Sequence, residues 1–295
     1  MTIALVTVTY NAASVWDDFQ ASLFAQTDAD WRLYIIDNAS ADGTCTRLAA
    51  IVDPRVTVVL NDANLGVATA NNQGIRLALA GGARRIMLIN NDTLFDPDML
   101  GRLDAELTAS GADAISPLIP YYDHPDIVWY GGGHFSRYKG VRSAHDHLDQ
   151  PIQLVGDAPF QTDYAPTCCI MFDPRVFERV GLMDERYFVY WDDTDYLWRM
   201  KRAGMKLIVD PRVKLFHKVS ISTGGRLSDF SIRYHYRNQI FFARKFHGAF
   251  WPAYTALLEF GAGMLAVLRS GETPRHLLLR MKALGEGLTM PCERA

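Results

Sequence analysis

Short apolar runs and helically spaced apolar positions alternate along the first two thirds of the chain. Ile3 to Val8, Leu33 to Ile36, Val56 to Leu60 and Ile86 to Ile89 are runs with little or no polar alternation. A strand covered on both faces of a parallel sheet reads this way. Between them, Trp16, Phe19 and Leu23 predict one amphipathic helix, and Ile75, Ala78 and Leu79 a second that ends at Gly81-Gly82. After the fourth run, Asp96 is placed as an N-cap with Pro97 at the first helical position. Met99, Leu100, Leu103 and Leu107 then give that helix its core face. Further strands are expected at Ile115 to Pro120, Asp163 to Phe172, Met205 to Val209 and Val213 to Phe216. Val176, Phe177 and Val180 predict a short helix stopped by Gly181. Strand and helix in alternation predict an α/β fold with a doubly wound, mostly parallel sheet and right-handed crossovers.

Each of the first four runs ends in polar residues: Thr9-Tyr10-Asn11, then Asp37-Asn38-Ala39-Ser40. Asn61-Asp62 follows, with Asn64-Leu65-Gly66 just beyond, and then Asn90-Asn91-Asp92-Thr93. In parallel strands these ends share one edge of the sheet, where open α/β sheets bind ligands. Turn formation alone explains any one cluster, since Asn, Asp and Gly dominate turns. It does not place four of them on the same edge. Asp92 at the mouth of a buried strand suits a hard divalent cation that a substrate's phosphates also hold. Tyr10 could stack on a base, and Asp37 could accept from a base N–H or a ribose hydroxyl. No G-x-G-x-x-G and no P-loop follows the first strand, which excludes the common dinucleotide and nucleotide-triphosphate sites.

From Tyr121 to Tyr164 the periodicity weakens, and loops with short antiparallel strands are expected, a surface for an acceptor. His145 and His147 have ligand-like spacing, but in so polar a loop they read as a solvated face. Beyond it, Tyr190, Trp191 and Trp198 surround Asp192, Asp193 and Asp195 at an expected helix start. The helix dipole accounts for one or two carboxylates there, not three. Asp195 is expected to pair with Arg199 one turn on.

Composition narrows the choices modestly. With 295 residues, 49% hydrophobic and 21% charged, the chain fits one large α/β domain or two small ones. A net charge of −3 gives no sign of nucleic-acid binding. Cys45, Cys168, Cys169 and Cys292 lack C-x-x-C spacing and read as reduced thiols in a cytoplasmic protein. The N-terminus passes straight into a strand without a basic leader, so no signal peptide is expected. Nor is a membrane span obvious. Arg226, Arg233, Arg237, Arg244 and Lys245 face one acid, Asp229, and a largely apolar stretch, Phe250 to Leu268, follows, broken by Pro252 and Glu259. Such a pair could lie peripherally on the inner face of a plasma membrane, pack on the rest of the chain, or contact a second subunit as a homodimer.

Taken in order, these motifs resemble the family-2 glycosyltransferases with the GT-A fold, in their bacterial rhamnosyltransferase-like sub-group of surface-polysaccharide assembly. Thr7 to Asn11, Asp37 to Ser40 with Asp42-Gly43-Thr44, Asn64-Leu65-Gly66 with Ala70 to Gly74, and Leu88 to Thr93 carry the likeness. Phe188 to Arg199, His217 and Tyr236-Arg237-Asn238 continue it, so that it covers about the first 240 residues. The resemblance implies a GT-A catalytic region over 1–220 and a helical extension over 221–295. Within the catalytic region, 1–110 would bind the nucleotide-sugar and 111–220 the acceptor. It implies that Tyr10, Asn11, Asp37 and Ser40 hold the base and ribose, with Thr9, Asn64, Gly66 and Asn71 completing the donor site. Asn91 and Asp92 fall at the D-x-D position, with Asp92 and His217 as ligands of Mg²⁺ or Mn²⁺. Asn90 replaces the first Asp, leaving less charge on the ion. Asp193 falls at the catalytic base, and Asp192 stands for the Glu before it. The implied reaction moves a sugar from a nucleotide-diphosphate sugar (dTDP-rhamnose or a UDP-sugar) to a hydroxyl of a glycan or lipid-linked acceptor. Inversion of the anomeric centre is expected. The Q-x-x-R-W signature of processive synthases is missing, so a single transfer per encounter is expected. Two alternatives compete. A sugar-nucleotide pyrophosphorylase would need a basic, Gly-rich loop after the first strand, which Thr9 to Ser14 is not. A catalytically degenerate nucleotide- or glycan-binding module would not need both Asp92 and Asp193.

Overall fold

The computed structural model describes residues 2–218, 228–269 and 272–292; Arg226 of the basic stretch lies outside them. The first strand, β1 (Ile3–Thr9), is buried along nearly its whole length. Then come α1 (Trp16–Phe24), β2 (Trp31–Asp37), α2 (Thr44–Ala49), β3 (Val56–Leu60), α3 (Val67–Ala80) and β4 (Arg85–Ile89). These four strands pair in parallel in the order β3-β2-β1-β4. The reason is in the runs themselves: Ile3, Leu5, Val6, Ile35, Ile86 and Met87 are fully buried, each burial contributing about 1.5–3 kcal/mol. α3 packs tightly on β1, because a Cβ at Gly74 would stand 2.3 Å from a Val6 methyl.

The second half continues with β5 (Thr93–Phe95), α4 (Met99–Ser110), β6 (Ala114–Pro120), β7 (Val128–Tyr130), β8 (Gly133–Ser136), β9 (Arg142–His145) and β10 (Phe160–Thr162). β11 (Cys169–Phe172), α5 (Arg175–Val180), α6 (Asp192–Arg202) and β12 (Leu207–His217) complete it. β11 lies antiparallel between β4 and β6, and β12 runs parallel to β6 on its far side. Six strands of the sheet, β1 to β4, β6 and β12, run in one direction, as expected, while β5, β7, β10 and β11 pair antiparallel to their neighbours. β8 and β9 form a separate hairpin.

Three boundaries differ from the sequence reading. The helix after Asp92 begins at Met99 with Asp98 before it, not with Asp96 as cap; Asp96 instead uses its carbonyl to accept from Gln26 and Met99. The strand expected over Asp163 to Phe172 starts only at Cys169, since Pro166 offers no N–H and Asp163 and Tyr164 donate to the Gly133 carbonyl. Conversely, the two strands expected at Met205 to Val209 and Val213 to Phe216 are one strand, β12. It carries Pro211 through a bulge where the pairing register with β6 shifts.

Three helices close the chain: α7 (Asp229–Phe246), α8 (Phe250–Arg269) and α9 (Pro274–Thr289). Pro252 does not interrupt α8, because it sits in the first turn, where no intrahelical N–H is needed. Glu259 does not interrupt it either; it turns inward to Gln239 and Arg280. At 20 residues α8 is long and apolar enough to cross a membrane by length and composition, a feature the sequence reading did not single out. Its outer face exposes Phe250, Leu257, Leu265 and Leu268.

Candidate active site

Residues at the ends of β1 and β2 build the edge expected to hold the donor. The Asp37 carboxylate is buried and accepts from Thr9 Oγ1 at 2.7 Å, from Ser40 Oγ at 2.6 Å and from Ser40 N at 2.9 Å. Ser40 Oγ in turn accepts from Asn11 N at 2.9 Å, and Asn11 Oδ1 accepts from Ala41 N at 2.8 Å. Asn11 and Ala39 take left-handed backbone, with φ of 53° and 60°. Strained backbone of this kind persists where the surroundings fix it, and here the bonds to Ser40 and Ala41 do so. Tyr10 is exposed at the rim, free to cover a planar ligand.

Beyond β3, Asn64 Oδ1 accepts from Gly66 N at 3.0 Å and closes an Asx turn. Gly66 has φ 84°, and a Cβ there would meet the Phe188 carbonyl at 2.5 Å, so only glycine fits. This turn supports the loop before α6: Val67 N donates to Phe188 O at 2.7 Å. On α3, Asn71 is buried, while its neighbour Asn72 bonds both Met183 and Glu185. The structure thus gives Asn72 a loop-holding contact that sequence reasoning missed.

At the mouth of β4, Asn91 Nδ2 donates to Val8 O at 2.6 Å and ties the two central strands together. Asp92 stands beside it, with His217 Nε2 3.2 Å from its Oδ1. β12 pairs with β5, which brings His217 opposite Thr93 and so next to Asp92. Asp92 Oδ1 and His217 Nδ1 are both buried without a hydrogen-bond partner. Such orphaned atoms are rare in folded proteins and call for an explanation. A carboxylate oxygen and an imidazole edge converging this closely fit a divalent cation. Among the described residues no group of three or more His, Cys, Asp or Glu side chains converges on one point. The chain would thus supply two ligands and leave the rest to phosphate oxygens and water, as hard cations in phosphate-transfer sites are commonly held.

An aromatic wall leads from His217 to the second carboxylate group. His217 packs edge-on against Trp129 at 4.8 Å, Trp129 against His145 at 5.0 Å, and His145 against Tyr164 at 5.8 Å. Tyr164 then donates its hydroxyl to Asp193 Oδ2 at 2.6 Å. The metal-type pair and Asp193 are therefore joined by one continuous run of packed rings. His145 is not the solvated loop residue that the polar stretch around it implied. The β8–β9 hairpin folds it inward, its Nδ1 lies 2.8 Å from the Trp129 carbonyl, and burial pushes its pKa down. His147 stays in the outer loop beside Gln150.

Asp192 and Asp193 open α6 in unlike surroundings. Asp193 accepts from Tyr164 and, at Oδ1, from Thr194 N at 2.5 Å and Thr194 Oγ1 at 3.1 Å. Burial raises its pKa, and those hydrogen bonds oppose the rise. Asp192 has no side-chain donor; burial first and the Asp193 charge second push its pKa well above the ordinary carboxylate range. Unlike environments of this kind separate the protonation states of two neighbouring carboxyls. Asp195 pairs with Arg199 at 2.7 Å, as expected, and also with Lys245 of α7 at 2.5 Å. Just before α6, Tyr190 and Trp191 both have positive φ, 62° and 68°. Asn238 holds that turn, donating to the Val189 and Tyr190 carbonyls at 2.8 and 2.9 Å. Tyr164, His145, Trp129 and Lys245 escaped the sequence reading, because no spacing connects them to Asp92 or Asp193.

Comparison with known proteins agrees with this geometry. Residues 4–181 match the model of a family described as glycosyl transferase family 2. An N-acetylglucosaminyl-diphospho-decaprenol L-rhamnosyltransferase of Mycobacterium tuberculosis is 28% identical over 279 residues, 85% of this chain and 87% of the relative. The dTDP-rhamnosyl transferase RfbF of Shigella flexneri is 25% identical over 217 residues, 74% of this chain and 69% of the relative. Among solved structures, GalNAc-T7 with UDP, GalNAc and Mn²⁺ superposes with a TM-score of 0.68 at 15% identity. That match covers 96% of this chain but only 54% of the longer neighbour. The mannosyltransferase PcManGT of Pyrobaculum calidifontis, in complex with GDP-Man and Mn²⁺, gives 0.60 at 17% identity, covering 97% of this chain and 85% of that one. The fold is thus GT-A, and the chain belongs to glycosyl transferase family 2 as a rhamnosyltransferase-like hexosyltransferase.

Proposed function

We propose that this glycosyltransferase moves one sugar, rhamnose from dTDP-rhamnose or the sugar of a UDP-sugar, onto a hydroxyl of a lipid-linked glycan in surface-polysaccharide assembly. The observation that carries the reading is the run of packed rings that joins Asp92 and His217 at one end to Asp193, held by Tyr164, at the other. Two relatives support the choice of substrates, one named for a dTDP-rhamnosyl donor and one for a diphospho-decaprenol acceptor.

In this reading Tyr10, Asn11, Asp37 and Ser40 seat the base and ribose, with Thr9, Asn64, Gly66, Asn71 and Asn91 around them. Residues 1–110 bind the donor, 111–220 the acceptor, and 221–295 brace the catalytic loop and meet the inner face of the membrane. Asp92 and His217 would hold Mg²⁺ or Mn²⁺, which would supply Lewis-acid neutralisation of the departing diphosphate. The neighbours of known structure named with Mn²⁺ support that assignment. Asp193 takes the proton from the acceptor hydroxyl as its oxygen bonds to the anomeric carbon. The bond from that carbon to the donor's phosphate oxygen breaks, and its electron pair leaves with the nucleoside diphosphate. Attack from the face opposite the leaving group inverts the centre. Tyr164 and Thr194 aim the Asp193 carboxylate, while Asp192 in its protonated form adds no second negative charge. The aromatic wall keeps water from competing with the acceptor.

The test is nucleotide release from a panel of nucleotide-sugars with and without acceptor and divalent cation. Turnover is expected with one donor class and is abolished by excess chelator or by Asp92→Ala. Full turnover in chelator would remove the metal from the reading, and a donor panel without any turnover would remove the reading itself.

A further inference from the structure

A cavity of about 460 Å³ lies behind the β8–β9 hairpin, apart from the donor edge. Arg137, Arg142, Lys201, Trp198, Phe242 and His247 are among its lining residues. Lys201 pairs with Asp163 at 2.5 Å, but neither Arg137 nor Arg142 has a carboxylate partner among the described residues. Both arginines are exposed, while Trp198 Nε1 and His247 Nε2 are buried within the wall behind them without a hydrogen-bond partner. Two arginines without a carboxylate partner on one cavity wall are a recognition set for an anion. Burial, helped by the nearby Arg137 and Arg202 charges, holds the pKa of His247 down at about 4. The cavity is therefore a place of positive potential that lacks its counter-charge.

Its neighbours on either side say which anion. On one side, Ser143, next to Arg142, has its Oγ 3.0 Å from Thr194 Oγ1, and Thr194 adjoins Asp193. Trp198 lies four residues along α6 from Thr194, about 6 Å. Phe135 joins the two places, packing on Trp198 at 4.9 Å and on Tyr164 at 6.0 Å. On the other side, Tyr138 is 82% exposed, and its carbonyl accepts from Tyr254 Oη of α8 at 2.9 Å. Its ring faces Trp251 at 6.4 Å, and beyond it α8 exposes Phe250 and Leu257. Carboxylate, cations and apolar helix thus follow one another in the order in which a sugar, a phosphate group and a lipid are joined.

The geometry points to this cavity as the site that binds the phosphate or diphosphate group of the lipid-linked acceptor, with its sugar directed to Asp193 and its lipid to α8. The assignment rests on the acceptor class proposed above. It gives the acceptor an anion site of its own, separate from Asp92 and His217, which serve the donor's phosphates.

The test uses the full-length enzyme with Arg137→Gln and Arg142→Gln, singly and together. Two acceptors carry the same sugar, one as an alkyl diphosphate and the other as an uncharged alkyl glycoside. In the double variant KM for the diphosphate acceptor should rise about 10- to 100-fold, the size expected for losing charge-assisted hydrogen bonds. Donor KM and transfer to the alkyl glycoside should stay close to wild type. Equal losses with both acceptors, or a wild type that prefers neither, would overturn the assignment. Direct binding separates this outcome from failure of the wider reading. Geranyl diphosphate, measured by calorimetry in chelator, should bind wild type at least 10-fold more tightly than the double variant, whether or not any donor turns over. No such difference would sink the proposal. A third arm uses phosphatidylglycerol vesicles. If the double variant loses vesicle binding while KM for the diphosphate acceptor is unchanged, the cavity reads membrane headgroups and the acceptor assignment is wrong.

Discussion

The expected donor edge and the surroundings of Asp193 are built in opposite ways. At the donor edge, Thr9, Asn11, Asp37, Ser40 and Asn64 bond one another or neighbouring backbone, all within the first seventy residues. At the acceptor end, Asp193 is held by Tyr164 from a loop after β10, and Asp195 by Lys245 from α7. The strained turn at Tyr190 and Trp191 is held by Asn238, also from α7. The donor edge is a product of local turn chemistry on a rigid parallel sheet. Asp193, the proposed base, is instead placed among residues remote in sequence, next to a turn and an ion pair that the C-terminal helices hold.

The sharpest test of that contrast is Asp193→Asn, which keeps the shape and removes the basicity. Transfer should fall by about two to four orders of magnitude with donor binding nearly unchanged. Near wild-type transfer, or a dead Asp192→Asn, would move the base to another residue. Next comes Lys245→Met, which leaves Asp184 and Asp195 without their shared cation. Although burial opposes it, bonds from Arg186 and Lys245 hold the pKa of Asp184 down at about 2. Breaking a buried pair of this kind typically costs about 3–5 kcal/mol. Chemical denaturation should show that loss together with a fall in kcat, since the loop before α6 loosens. Stability equal to wild type would deny the C-terminal helices their bracing role.

A smaller, pH-dependent effect is expected for Asp192→Asn. The folded chain holds the Asp192 proton up to about 8, whereas the unfolded chain releases it in the ordinary carboxylate range. The native state therefore binds more protons through that window, and wild-type stability declines as pH rises across it. Asn cannot ionise, so the variant should gain stability over wild type as pH rises toward about 8 and lose that advantage near pH 4. Denaturation curves across this range check it; a difference independent of pH would mean that Asp192 stays charged when folded. The smallest effect belongs to the donor edge. Ser40→Ala removes the hydroxyl between Asp37 and Asn11, and donor KM should rise roughly 2- to 10-fold with kcat near wild type. A large loss of kcat would show that the donor edge also positions the reacting atoms.

Much of the first half was legible because its strands are covered on both faces and its ligand-bearing turns follow them directly. Asp92 could be singled out from the run Ile86 to Ile89 alone, and Asp195 with Arg199 from helical spacing. The pairing of Asp92 with His217 came only from motif resemblance, since β12 and β5 must meet before those side chains can. β12 also defeated a local reading: Pro211 usually ends a strand, and a bulge kept this one whole. Pro252 and Glu259 looked like interruptions of an apolar helix; one falls in the first turn and the other faces inward to Arg280.

By itself, the sequence determined the parallel core, the edge that gathers the polar turns and the identity of the carboxylates available for chemistry. These follow from periodicity and turn propensity, which act over a few neighbouring residues. Only the tertiary structure decided which carboxylate is aimed and which is kept protonated. Tyr164 and Thr194 reach Asp193 and not Asp192, and desolvation falls on both. It also decided that His145 turns inward and that Arg137 and Arg142 share a cavity with Trp198 and His247. Hydrogen bonding, burial and the field of nearby charges depend on distances in space, and residues far apart in the chain set them.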